Sequence, residues 1–377
     1  MGLFIKDKQI NQTSNTDNNK STTGTSNQDV KQSQRASALN SAALLKREGV
    51  VDVKKTFVPN TVTDSDFSDM YITPEKVCYV WSGNSNCGLK VADYIDLKEF
   101  VNEVIGKYDG EEASYSLKYK NRRYRIERSV ALEGEQYCVR KMPGNIPDLE
   151  KLGLPKGVYD MLLRYANKTG LILLTGATGS GKSTTIASLI KKYLTIEGGY
   201  AFTIEDPIEM PLDGVYKTIH GDLGLCKQTT PPKGRWADGI KSALRSKPHY
   251  IYVGEIRTPE AAVELLRASA SGHLVFSTIH GNNVTDAINS LSKYAASSGI
   301  TSDMAYELIA NGFLGCIHQE LVGVHRRLVV ETIFAKPNLT SGCAVRNIIR
   351  SGRLNLGTII EQQKIQIEKG LPLFESD

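Results

Sequence analysis

The chain has 377 residues and a formal charge of +5, with 46 Lys+Arg set against 41 Asp+Glu. That length allows roughly two or three domains with cores of their own, and the mild charge permits contact with nucleic acid or a membrane surface without arguing for either. No apolar run approaches the about 18–20 residues of a bilayer-spanning helix, and MGLFIKDKQINQ has no signal-peptide core, so the expected compartment is the cytosol. Gly2 lacks the Ser or Thr four residues on that a myristoylation signal needs. Cys78, Cys87, Cys138, Cys226, Cys316 and Cys343 are scattered without a CxxC pair, and free reduced thiols are expected rather than disulfides or a zinc site.

Residues 1–60 begin as a polar tail of Asn, Gln, Ser, Thr, Lys and Asp that offers little to bury and is expected to be disordered. Within it, Ala36–Glu48 has the composition of a short helix. Residues 61–148 read as a small α+β domain. Val77–Trp81 and Tyr115–Arg128 alternate with the period of strands, and Val91–Lys107 carries apolar residues at helical spacing. The linker Pro143–Pro155 holds three prolines. Residues 149–377 then alternate strands (Leu171–Leu174, Ala201–Ile204, Ile251–Val253, Leu274–Thr278) with helical stretches, the pattern of an α/β domain with a parallel sheet. From about Ser302 the chain reads mainly as helices, with one strand at Arg327–Ile333.

The most informative stretch is GLILLTGATGSGKSTTIAS, Gly170–Ser188. A buried strand, a glycine-rich turn and a helix start match GxxxxGK[ST] over Gly176–Ser183. Gly176, Gly179 and Gly181 let the backbone N–H groups of Gly176, Ala177, Thr178, Gly179, Ser180, Gly181 and Lys182 curl toward phosphate oxygens. The helix N-terminus, with Ser183 and Thr184, adds partial positive charge. Lys182 is placed to bridge the terminal phosphates, and the Ser183 hydroxyl to meet Mg²⁺. ATP and Mg²⁺ are the expected ligands.

Three later segments supply acids and sensors. In TIEDPIE, Glu205, Asp206 and Glu209 crowd carboxylates together, which a nearby cation makes sense of. In YIYVGEIR, Glu255 follows a buried strand at the sheet edge where ligands sit, suited to Mg²⁺. In GHLVFSTIH, His273 and His280 bracket one strand, and their setting fits sensing of the γ-phosphate better than metal ligation.

In order and placement, GATGSGKST, TIEDPIE, VGEIR and SGHLVFSTIH resemble the Walker A, Asp, Walker B and His boxes of the traffic ATPases of type II secretion, type IV pili and type IV secretion. The resemblance implies a cytoplasmic homohexamer docked at the inner face of the bacterial inner membrane, against platform or secretion-channel proteins. Each subunit would pair a PAS-like N-terminal domain with a RecA-like P-loop ATPase domain. It further implies Glu209 as the group activating water, Glu205 and Asp206 as supporting acids, Glu255 as the Walker B acid, and Arg125 and Arg140 as arginines reaching the triphosphate. Ser183, Glu255 and Glu209 form the implied metal set. AVRNIIR (Ala344–Arg350) resembles a motif of the pilus-retraction branch, and the family's tetracysteine zinc module is missing. The related type IVB secretion and conjugation ATPases share this compact layout. Thr258 stands where the family usually has Asp, and Gly281 where Thr is common. Two other classes compete: a RecA-like nucleic-acid translocase, and a nucleotide-gated scaffold that hardly hydrolyses. Direct nucleic-acid binding is not expected, because no basic groove studded with aromatics appears.

Overall fold

Alternating apolar and polar residues build the first sheet. In the computed structural model, which describes residues 60–83, 87–323, 326–337 and 342–374, six antiparallel strands lie in the order β3-β2-β1-β6-β5-β4. They are β1 (Asp69–Ile72), β2 (Cys78–Trp81), β3 (Lys90–Val91), β4 (Ser114–Tyr119), β5 (Arg122–Ala131) and β6 (Gly134–Lys141). The single strand-like stretch Tyr115–Arg128 is in fact a hairpin. Tyr119 pairs with Arg122 across Lys120 and Asn121, and Lys120 takes the left-handed conformation a tight turn requires. Helix α1 (Leu97–Gly106) covers one face, with Phe100 packed on Tyr119 and Tyr124 at centroid distances of 5.0 and 4.7 Å. The expected helix at Val91–Lys107 is shorter at its start, because Val91 pairs with Tyr79 in β3; the buried Asp96 carboxylate, just before the helix, accepts from the Val62 N–H, the Tyr119 hydroxyl and the Lys120 ammonium. The proposed helix at Ala36–Glu48, like the polar tail around it, lies outside the described residues.

Eight strands make the second sheet, in the order β14-β13-β7-β12-β11-β8-β10-β9. The four expected strands are β7 (Gly170–Thr175), β8 (Gly199–Ile204), β11 (Tyr250–Val253) and β12 (Leu274–Ile279), all mutually parallel where they pair. Their near-continuous apolar sequences follow from burial on both faces; every residue of β7, β11 and β12 is buried. The sheet is mixed rather than purely parallel. β14 (Arg327–Phe334) runs antiparallel to β13 (Phe313–Val322), and β9 (Gly214–Lys217) runs antiparallel to β10 (Leu223–Thr229), which itself pairs parallel with β8. The expected strand at Arg327–Ile333 is β14, and β13 is a second strand missed in the mainly helical reading after Ser302, since α7 (Ser302–Gly312) passes directly into it. The segment after Leu212 forms the β9–β10 hairpin, which the sequence reading did not place.

Helices cover both faces. One core gathers α4 (Trp236–Arg245), α5 (Pro259–Ala270), α6 (Val284–Ala296), α7 and α8 (Ala344–Arg350) around Leu171, Leu173, Ile251 and Val275. The other places α2 (Lys156–Arg164) and α3 (Lys182–Ile196) against Ile172, Leu174, Tyr252 and Phe276. Successive residues of β7 thus feed opposite cores, each buried Leu or Ile contributing about 1.5–3 kcal/mol. α9 (Gly357–Glu368) closes the second core, its buried Gln363 accepting from the Phe334 N–H and donating to the Phe334 carbonyl. After β7 the chain crosses to β8, returns through β11 and β12, and then places β13 on the other side of β7. The crevice at the carboxyl end of β7 is therefore where α/β sheets place ligands. Among the described residues no helix is long and apolar enough to cross a membrane, and all six cysteines are free thiols.

Candidate functional site

The loop after β7 has a shape only glycine permits. Gly176 has φ +138°, and a Cβ there would lie 2.3 Å from the Gln319 carbonyl oxygen. Gly181 has φ +89° and caps α3 at its N-terminus. Gly179, at φ +77°, faces open space, which leaves the mouth of the loop free for close approach of a ligand. The loop is braced from β13 and the turn that follows it: Gln319 Nε2 donates to the Ser180 carbonyl at 2.6 Å, and Arg326 donates to the Gly179 carbonyl at 2.9 Å. Lys182 Nζ donates to the Gly176 and Ala177 carbonyls at 2.8 and 2.9 Å, across that mouth. Burial depresses its pKa, while the Glu255 and Glu209 carboxylates act in the opposite sense.

The loop forms one wall of a cleft of about 700 Å³. Opposite charges converge there: Lys182, Arg125, Arg140, Arg257 and Arg326 with Glu205, Asp206, Glu209 and Glu255. Arg125 and Arg140 come from the first sheet and stand directly across from each other on β5 and β6. Like charges so placed repel. The buried Asp69 carboxylate relieves part of this by accepting from Arg140 Nε at 2.9 Å. That bond also fixes the guanidinium, whose side chain remains 63% exposed.

Glu255, past the end of β11, is held at both oxygens. His280 Nε2 lies 2.8 Å from Oε1, and Arg257 Nε donates to Oε2 at 2.8 Å. The Arg257 guanidinium in turn lies 5.6 Å from the centre of the Trp236 ring. Glu205 is buried at 3% exposure and accepts from Thr203 Oγ1 at 2.6 Å and Gln228 Nε2 at 2.9 Å. Burial pushes its carboxyl up to about 7 despite those bonds. Asp206 and Glu209 are exposed in the cleft.

Of the residues expected at the site, all line this cleft except Gly176 and Ala177, at the start of the loop, and one distant side chain. That side chain is His273. It precedes β12 at its amino end, where its Nδ1 lies 3.4 Å from Ser271 Oγ, while His280 sits past the carboxyl end. Six strand residues separate them by about 20 Å, so two histidines bracketing one strand cannot serve one site there. His280 is also paired with Glu255, rather than standing alone as a sensor. Sequence reading missed Gln228, Gln319 and Arg326, whose partners lie far along the chain and leave no local pattern. Arg257 sat in plain view in VGEIR.

Both departures from the expected boxes have local reasons. Thr258 caps α5, its Oγ1 accepting from the Ala261 N–H at 3.2 Å, a task Thr and Asp share. At Gly281 a Cβ would lie 2.9 Å from Thr175 Oγ1, which itself donates to the Gly281 carbonyl.

These residues fit a bound nucleoside phosphate. The loop's glycines open a cradle that a Cβ at Gly176 would close, and the buried Ser180 Oγ and Gln319 Oε1 beneath it have no hydrogen-bond partner. Among the described residues no group of three His, Cys, Asp or Glu is placed to hold a metal. A divalent cation here would share its shell with phosphate oxygens and water, as magnesium commonly does.

A family model described as "Type II/IV secretion system protein" matches residues 109–368. The chain belongs to that family. Within it, a twitching motility protein of Neisseria gonorrhoeae is 29% identical over 248 residues, covering 64% of this chain and 62% of that protein. A type II secretion system ATPase E of Vibrio cholerae is 34% identical over 204 residues, 52% of this chain and 37% of that one. The chain thus spans less than two thirds of either relative's length. Among solved structures, the pilus retraction motor PilT with bound ADP superposes with a TM-score of 0.62 at 29% identity, covering 79% of this chain and 86% of that one. The second sheet and its helices are a RecA-like P-loop fold.

Proposed function

We propose that this chain is an ATPase subunit of a cytoplasmic homohexamer that powers a type IV pilus or type IV secretion machine, docked at the inner membrane through platform or channel proteins. The observation that carries the reading is the cleft itself. It is lined by the phosphate cradle, by two arginines directly opposed on the first sheet, and by four carboxylates. Such an arrangement is electrostatically costly alone and favourable around a triphosphate with its cation. The ADP bound to PilT and the family's secretion and motility members support the same reading.

The roles follow from position. The loop N–H groups and Lys182 hold the β- and γ-phosphates, and Arg125 and Arg140 reach the same oxygens from the first sheet. Ser183, Glu255 and Glu209 are the residues that would hold magnesium, which when bound neutralises phosphate charge. Glu209, exposed in the cleft, orients the attacking water and takes its proton. His280 and Arg257 hold Glu255 in place. Catalysis works by positioning and electrostatics. Because the arginines and the cradle lie on different sheets, turnover depends on how the two sheets close on each other.

The test is Lys182→Ala in the native host, with surface pili and substrate transfer scored side by side. Excess pili that cannot withdraw mark a retraction motor, and lost transfer marks a secretion motor. If neither changes, the motor reading is wrong.

A further inference from the structure

Gln228, on β10, does not line the cleft, yet its side chain ties together the loop that does. Its amide oxygen accepts from the backbone N–H groups of Leu212 and Asp213, each at 2.9 Å, and from Arg123 at 3.1 Å. Its amide nitrogen donates to Glu205 Oε1 and to the Met210 carbonyl, each at 2.9 Å. Donors surround one end and acceptors the other, so the amide has one orientation that satisfies them. Its backbone N–H also donates to Asp213 Oδ1 at 3.2 Å. One side chain therefore clamps both ends of the Glu205–Asp213 loop, which carries Asp206 and Glu209 into the cleft.

Arg123 is the outsider in this cluster. It lies on β5 of the first sheet, 105 residues away in sequence. It is two residues from Arg125 and so projects from the same face of the strand. Arg125 reaches into the cleft, whereas Arg123 plugs into the clamp behind the carboxylate loop.

We propose that Arg123 and Gln228 form a joint through which the first sheet positions the carboxylate loop, making both of them positioning residues for the cleft. A charged donor on the amide oxygen polarises the amide and strengthens the bonds its nitrogen makes to Glu205 and Met210. When the first sheet moves, the arginines at the mouth and the loop at the back then move as one body. Around Glu205, burial together with the Glu209 charge favours the protonated acid, while Thr203, Gln228 and the Arg123 charge favour the carboxylate. Tyr252 and Cys226 complete its titratable surroundings. Withdrawing Arg123 thus weakens the clamp both mechanically and electrostatically.

The activity half of this inference rests on the proposed ATPase function; the mechanical half does not. Hydrogen exchange on the full chain is compared for wild type, Arg123→Ala, Gln228→Ala and the double variant. Arg123→Ala, which removes a half-buried side chain, is expected to speed exchange of peptides spanning 205–213 about tenfold while leaving those of α3 and β12 unchanged. In turnover, Arg123→Ala should lower kcat roughly fivefold with KM for ATP within about twofold, and the double variant should be no worse than Gln228→Ala. Unchanged exchange across 205–213 in Arg123→Ala overturns the joint. So does a double variant whose losses multiply, since Arg123 and Gln228 would then act independently. Should the wild type hydrolyse no ATP, the function fails, and the exchange comparison still decides the joint.

Discussion

Arg125 and Arg140 are direct cross-strand partners on β5 and β6, and both guanidinium groups border the cleft that the glycine-rich loop opens. Among the described residues, Arg140 alone of the pair has a carboxylate partner, Asp69. In the proposed mechanism, removing Arg125 relieves repulsion in the free protein and takes a phosphate partner from the bound one. Arg125→Ala should leave unfolding free energy without nucleotide within about 0.5 kcal/mol of wild type. The same change should weaken ATP binding roughly tenfold, by loss of a hydrogen bond to a charged group. Urea unfolding and titration with a fluorescent ATP analogue check the two halves. A large loss of stability with affinity unchanged would mean that the arginine is merely structural.

In the proposed mechanism, Glu209 is the base and Glu255 a metal-holding acid, and their settings differ. Glu255 is gripped by His280 and Arg257, whereas Glu209 is exposed in the cleft with no such clamp among the described residues. Glu209→Gln keeps shape and hydrogen bonding but removes the base, so turnover should fall about 10²–10⁴-fold while ATP affinity changes little. His280→Ala should cost less, because Arg257 still holds one Glu255 oxygen. Single-turnover phosphate release separates these from binding effects, and wild-type turnover by Glu209→Gln would show that the base lies elsewhere.

The carboxyl of Glu205 gives stability a pH dependence. Its ordinary value of 4.5 is raised to about 7 in the folded protein by burial. For an acid shifted upward, the folded state binds the extra proton, so stability is lost as pH rises from 4.5 through 7. Glu205→Gln retains an oxygen for Thr203 and Gln228 and cannot ionise. It should be more stable than wild type at pH 8 by roughly 3 kcal/mol, with little difference at pH 4.5. Urea denaturation at the two pH values is the check, and a difference independent of pH would contradict the buried-charge explanation.

The glycine-rich loop and the acidic segments were more legible in the sequence than the scaffold. The Gly176–Ser183 loop is local, its glycines, lysine and hydroxyl all falling within eight residues, and every part of it is where the spacing puts it. The Asp box and the Walker B glutamate follow apolar strands and are equally plain. β13 was hidden because FLGCIHQELV follows a helix without a breaker beyond Gly312, and neither period dominates it. The β9–β10 hairpin was hidden for a different reason. Its strands expose Val215, Leu223 and Leu225, so no clean alternation of apolar and polar residues marks them. His273 was misplaced because two histidines flanking one strand look adjacent in sequence but lie at opposite ends of the sheet. Gln228 and Gln319 act only through partners distant in the chain, a relation that appears once the fold brings them together.

The most direct measurement is steady-state phosphate release by the full-length chain with Mg-ATP, set beside Lys182→Ala at equal concentration. Lys182 spans the mouth of the glycine-rich loop, and in the proposed mechanism its charge bridges the terminal phosphates. The expected result is turnover by wild type, rising with protein concentration as subunits assemble, and loss of at least about 10²-fold in Lys182→Ala. Equal release from both proteins, or none from the assembled wild type, would contradict ATP hydrolysis in this cleft.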